Sequence, residues 1–164
     1  MSGSKPSVVV VGVDGTPAGQ AALTFAMREA RLRGSALDVV TTWRWDVEGG
    51  DPSLGIPSDI ARRVQTAQDV AISAALAVTA APSVITRHVI EGTAGEQLVR
   101  LGREADYLVV GSSHKNLLKR ALLGSVSQYC VRHASCPVVV VPGAAAPVEE
   151  TVAIRPTGVA AVAG

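Results

Sequence analysis

Three valine-rich runs of strand length constrain this chain before anything else: SVVVVGV at 7–13, YLVV at 107–110 and PVVVV at 137–141. None alternates with polar residues, so each has to bury both of its faces. That is the condition of a strand in a parallel sheet covered by helices on either side. All are far shorter than the run of about 20 apolar residues a bilayer-spanning helix needs. What lies between them has to supply the covering helices.

It does so in regular alternation. Residues 7–13 run into Gly12-Val13-Asp14-Gly15, after which Thr16 reads as an N-cap with Pro17 at the first helical position. Ala21, Leu23, Phe25, Ala26 and Ala30 carry that helix to Gly34, its C-terminal stop. Residues 37–43 read as the second strand, ending in Thr41-Thr42-Trp43. Gly49, Gly50, Pro52, Gly55 and Pro57 mark 44–57 as a long loop, either a lid over a site or a slack connection. A helix is expected over 58–80, with Ile60, Val64, Ala67, Val70, Ala71, Ala74 and Val78 on a broad apolar face and Pro82 closing it.

Residues 84–91 alternate between apolar and polar, as an edge strand does. Thr93 and Glu96 are spaced as a capping box for a short helix to about Arg103, and a fourth strand at 107–110 stops at Gly111. Ser125 as N-cap, with Gln128 completing a capping box, opens a helix to about Ala134, and 137–141 is the fifth strand. Strands alternating with helices in this way predict an α/β fold: one five-stranded parallel sheet joined by right-handed crossovers. The domain spans 7–142. Residues 1–6 and the Ala-, Pro- and Gly-rich stretch 143–164 carry no usable periodicity and are expected to be disordered.

Composition narrows the function. The 164 residues suffice for one core, and 48% hydrophobic against 18% charged residues describes a globular domain. A formal charge of +1 argues against a nucleic-acid partner or a polybasic membrane surface. With no secretory pattern after Met1, the cytoplasm is the expected compartment. Cys130 and Cys136 flank His133 without a fourth ligand, so zinc is not expected. Small buried hydrophobes is the reading for both cysteines, with a redox pair as the alternative.

The chemistry is concentrated in 108–141. Gly111 is followed by the polar, basic segment Ser112, Ser113, His114, Lys115 and Asn116, and then by the helix start at Gly124-Ser125. A strand end, small and cationic residues and free helix N–H groups together can hold an anion, most naturally a phosphate. The same residues also fit a plain strand-loop-helix connection whose glycines only serve turns. In open parallel sheets, ligands bind beyond the carboxyl ends of the strands where the winding reverses. Asp14, Thr42 and Gly111 all fall at such ends, and if the first and fourth strands are neighbours, Asp14 and Gly111 share that crevice with Ser125.

The opening VVVVGVDGT, the helix start GEQLV and, above all, LLGSVSQYCVRHASCPVVVV resemble the universal stress protein family in its nucleotide-binding branch. The likeness extends over nearly all of 7–142. It implies a sheet ordered 3-2-1-4-5 with helices on both faces, and a homodimer built through the fifth strand. In one branch it also implies ATP bound at Gly, two residues, Gly, nine residues, Gly, then Ser or Thr. On that pattern Gly111 is the first glycine, 115–123 the spacer and Gly124-Ser125 the final pair, while His114 stands where the second glycine belongs. A histidine there either swings outward, adding a donor to a phosphate when protonated, or fills the phosphate site.

By the same resemblance Gly12, Val13 and Asp14 would lie beside the nucleotide, and Thr42 would line the adenine pocket through its backbone. Val110 and Val126 would touch the adenosine. Gly111, His114, Lys115, Gly124 and Ser125 would meet the phosphates, and Asp14 could hold Mg²⁺ between them and its carboxylate. Asp14 has a second reading that needs no ligand, a turn bond to nearby backbone.

The expected function is therefore an adenine-nucleotide (ATP) binding homodimer responding to stress or energy state. The alternative is a non-nucleotide interaction protein on the same fold, with His114 closing the site. No GxxxxGK[ST], GxSxG, HExxH or GxGxxG after the first strand is present, so an enzyme is not indicated beyond weak ATP hydrolysis. The dimer has its own warrant in the VVVV run, which as a terminal strand without charges would leave an apolar edge to be paired.

Overall fold

The computed structural model describes residues 6–44, 57–112 and 123–143. The expected loop at 44–57 lies almost wholly outside these, as do His114, Lys115 and all but the innermost residue of each expected disordered end. The elements, in order, are β1 (Val8–Gly12), α1 (Pro17–Arg33), β2 (Ala36–Trp43), α2 (Pro57–Leu76), β3 (Ile85–Glu91), α3 (Ala94–Gly102), β4 (Tyr107–Ser112), α4 (Ser125–His133) and β5 (Val138–Pro142). The strands form one parallel sheet in the order β3-β2-β1-β4-β5, as the resemblance implied. The chain builds outward from β1 to β3, then crosses back to lay β4 against the other side of β1.

The valine runs explain why β1 sits at the centre. Successive side chains in a strand point to opposite faces, and here both faces are apolar. Val9 and Val11 enter a cluster with Leu23 and Met27 of α1, Leu37 and Val39 of β2, and Ala71, Ile72 and Ala75 of α2. Val10 turns the other way, into a cluster with Val40, Leu98 of α3, Leu108 and Val110 of β4, and Cys130 of α4. One face is thus covered by α1 and α2, the other by α3 and α4. β3 lies at one edge, as its alternation predicts, and β5 at the other.

Local signals fixed most boundaries. Thr16 caps α1, its hydroxyl accepting from Gly19 N at 3.1 Å, and Gly34 ends it in the left-handed region at φ 66°. Elsewhere the structure corrects the sequence. α2 ends at Leu76 rather than near Ala80, where Val78 N closes a tighter turn on the carbonyl of Ala75, three residues back instead of four. Its buried stripe is narrower than predicted: Val70 and Val78 are exposed, and Gln68, Ala71, Ile72 and Ala75 face inward.

β4 continues past Gly111 to Ser112, which pairs with Pro142. Thr93 does precede α3, but its side chain makes no capping bond. The N-cap of α4 is Gly124, not Ser125. Gly124 holds an extended conformation while its carbonyl accepts from Gln128 N at 2.9 Å, so Ser125 is already the first helical residue.

Cys130 is fully buried, and Cys136 half-buried; both are free thiols, as small core residues would be. Burial first, and the nearby Cys136 second, push the Cys130 thiol up to about 11 from an ordinary 9.0. The unfolded chain therefore releases this proton at a pH where the folded chain still keeps it. Stability contributed by the neutral thiol is complete below pH 9 and is lost as pH rises through about 11. Urea unfolding at stepped pH should show the wild type falling more steeply than Cys130→Ala across that window. Parallel curves would show that the thiol is not held neutral.

Candidate functional site

Where the winding reverses between β1 and β4, the carboxyl ends of β1, β2 and β4 open into a cleft of about 290 Å³. That is near the low end of the size range of small-ligand sites. Gly12, Val13, Asp14, Thr42, Val110, Gly111 and Val126, all expected at a ligand site, line it together. Gly124 and Ser125 immediately precede Val126 at the start of α4 and are not among its lining residues.

Two glycines at the cleft lie close against their neighbours, and at Gly111 those neighbours are backbone that cannot rotate away. A Cβ on Gly111 would lie 2.5 Å from the carbonyl oxygen of Ala18, and one on Gly12 would lie 2.8 Å from Leu98 Cδ1. Gly111 thus lets the first turn of α1 settle directly on β4.

Four helix N-termini approach this end of the sheet, and they differ electrostatically; that of α2 carries the acid Asp59 in its first turn. At α1, Asp14 Oδ1 accepts from Thr16 N at 3.0 Å and from its hydroxyl at 2.6 Å, while Thr16 in turn caps Gly19 N. The turn-bond role anticipated for Asp14 is therefore real, and this helix start is already satisfied from within. α3 carries the acid Glu96 in its first turn. α4 has neither a side-chain cap nor an acid in its first turn. Of the four, it is the one whose first turn carries neither among the described residues, which leaves the positive end of its dipole uncompensated by them.

The rest of the wall is apolar, from Val40, Val64, Ala67, Leu98, Val110 and Val126, with Thr41, Thr42, Gln68 and Asp14 as its polar side chains. Among the described residues Asp14 is the only ionisable side chain lining the cleft, and no group of three or more His, Cys, Asp or Glu forms a metal cluster. No helix among the described residues is long and apolar enough to cross a membrane.

Sequence reasoning missed the contribution of α2, and above all Gln68, which is 1% exposed. A glutamine by type argues for the surface. Its spacing was the signal, since it lies in step with Val64, Ala71, Ile72 and Ala75 on one helical stripe.

The sequence model of the universal stress protein family matches residues 7–142. Universal stress protein Rv2623 of Mycobacterium tuberculosis is 31% identical over 153 residues, which cover 85% of this chain and 49% of that protein. The chain spans about half the length of the relatives it matches. Among solved structures, a universal stress protein in complex with cAMP superposes with a TM-score of 0.60 at 25% identity, covering 86% of this chain and 100% of that one. The universal stress protein from Archaeoglobus fulgidus in complex with dAMP shares the fold, with a TM-score of 0.57 at 23% identity over 84% of this chain and 99% of that one.

Proposed function

The chain belongs to the universal stress protein family, and on that premise we propose that it is an adenine-nucleotide-binding module that takes ATP in the cleft between β1 and β4. In this reading it acts as a cytoplasmic homodimer, paired through β5, in the response to stress or energy state. The observation that carries the proposal is the contrast among the helix starts: among the described residues only that of α4 is left without a cap or an acid, and it adjoins an apolar cleft. A relative of the same fold has been crystallised with cAMP.

The triphosphate would lie at Gly124, Ser125 and Val126, beside Gly111, with His114 and Lys115 as further partners. The base would lie toward Thr42, and Gly12, Val13 and Val110 would flank the sugar. Asp14 is the carboxylate available to a magnesium ion. Both bonds from Thr16 fall on Oδ1, leaving Oδ2, and Mg²⁺ on a nucleotide commonly takes one protein carboxylate besides phosphate and water.

The test is direct. Purified protein is extracted with acid and assayed for nucleotide, then titrated calorimetrically with ATP with and without Mg²⁺. Ser125→Ala should weaken binding by about tenfold, the worth of a hydrogen bond to a charged group. Gly124→Val should weaken it further without unfolding the chain, because among the described residues a Cβ there meets only Ser127 Oγ at 3.7 Å. A folded wild type that gives no heat with millimolar ATP would remove the proposal, and recovery of binding in His114→Gly would assign the loss to the imidazole. Light scattering of the same sample should return a dimer; a monomer at tens of micromolar would strike the dimer from the reading.

A further inference from the structure

At the amino ends of β1, β4 and β5, opposite the cleft, lies a second cavity of about 650 Å³, well inside the size range of small-ligand sites. Its α1 wall is one helical stripe, Phe25, Glu29 and Arg33, spaced a turn apart. Tyr107, Pro137 and Val139 line it from the starts of β4 and β5. Phe25, Tyr107 and Val139 also rest against the buried core, which holds this apolar lining in place.

The charges around the cavity do not balance. Arg33 Nε meets Glu29 Oε2 at 3.2 Å while its Cζ lies 5.5 Å from the centre of the Tyr107 ring, so this ring already offers its face to a cation. Glu29 is thereby matched. Asp106 is not: its two donors, Ser7 Oγ and Val8 N, the latter at 3.0 Å, are neutral, and no cation among the described residues pairs with it. Both bonds fall on Oδ2, so tying the start of β1 to that of β4 leaves Oδ1 and the charge available. Burial first and Glu29 second push the Tyr107 phenol up from its ordinary value, with Asp106 acting in the same direction and Arg33 against it. The two carboxylates thus converge on one ring. One guanidinium against two carboxylates gives the lining an excess of negative charge, beside aromatic faces that also favour a cation.

We propose that this cavity binds an aliphatic amine of the polyamine type, with an ammonium group on Asp106 and its methylene chain along Phe25, Pro137 and Val139. An ammonium is a compact point charge whose donors suit a single open carboxylate oxygen, and its methylene stem gains by lying on apolar surface. A second ammonium along the chain adds attraction from Glu29. The site is independent of the nucleotide-binding reading, since it lies at the other end of the sheet and shares no lining residue with the cleft.

The experiment is a titration of the full chain with spermidine, putrescine and butanediol at low salt and without nucleotide, followed by amide NMR shifts. Spermidine should move the signals of Val8, Tyr107 and Val139 and leave those of Gly12 and Val126 at the cleft in place. Half-saturation is expected at about 1 mM, a strength suited to a ligand of about ten heavy atoms. Putrescine should bind more weakly, and butanediol, which keeps a methylene chain without the charge, should not bind. Asp106→Asn preserves an acceptor for Ser7 and Val8 and removes the charge; it should weaken spermidine about fivefold, the upper end for an ion pair open to solvent. Thermal melting checks that the variant folds. If it does not, Glu29→Gln, which also cancels the excess charge of the lining, takes its place with the same expected loss. Unmoved signals at Val8, Tyr107 and Val139 in about 10 mM spermidine would overturn the proposal. So would equal shifts from butanediol, or undiminished binding in a folded variant.

Discussion

Leu108→Ala is expected to cost about 3 kcal/mol of folding stability, the middle of the range for emptying a rigid core site. Leu108 is fully buried in β4 and packs in the cluster with Val10, Val40, Leu98 and Cys130. Its backbone is paired on both sides, with Val10 of β1 and Val138 of β5, so neither neighbouring strand can move in to fill the void. The result should be a lower urea midpoint with an unchanged slope. Leu32→Ala is the matched control: Leu32 is 73% exposed, and its loss should change stability by less than about 0.5 kcal/mol. Comparable losses in the two variants would mean that the second core cluster is not packed as described.

Gly111→Ala tests the seam itself. The added carbon would stand 2.5 Å from Ala18 O, 2.6 Å from Ala18 C and 2.8 Å from Gly19 N. All three are backbone atoms in the first turn of α1, so no side-chain rotation relieves the clash, and α1 has to lift away from β4. Overpacking of this kind costs about 3 kcal/mol, which for a domain of this size lowers the melting temperature by roughly 6–12 °C. Because that displacement also moves the strand end bordering the cleft, ATP affinity should fall in the same variant. A Gly111→Ala protein that melts with the wild type would show that α1 does not rest on this glycine.

How far the residues alone disclosed this arrangement depended on the kind of signal. Strands buried on both faces left long valine runs that nothing else in the sequence imitates. The helix α1 announced both of its ends, through Thr16-Pro17 and Gly34, since each terminus is fixed by groups within the segment. Where the boundary depends on what the element meets, the reading slipped. The apolar residues of α2 recur at helical spacing, yet Val70 and Val78 stay in solvent because only a narrow stripe touches β2, β3 and α1. At α4, Ser125 has the side chain of a good cap, but Gly124 already supplies the extended conformation and the first carbonyl.

The cleft divides in the same way. Gly12, Asp14 and Gly111 were legible because they close strands at the reversal of winding, a position set by topology. Gln68 was not, because its burial depends on three acceptors contributed by β2 and β3, at 3.0–3.1 Å. Residue type alone argues for the surface at such a position. Only the packed molecule shows that the nitrogen is spoken for.

The junction of β1 with β4 also governs how the molecule must come together and apart. Their contact joins segments remote in the chain, beginning with Val8 N donating to Asp106 98 positions away, and continues through Val9, Val10 and Val11 against Tyr107, Leu108 and Val109. β1 and β2 need only α1 to meet, whereas this closure confines most of the polypeptide before it gains anything, which makes it a slow step of folding. A molecule lodged across that boundary would act as a clasp on the contact with the largest entropic handicap. Its first kinetic signature would be a longer lifetime of the native state, with little change in the rate of reaching it.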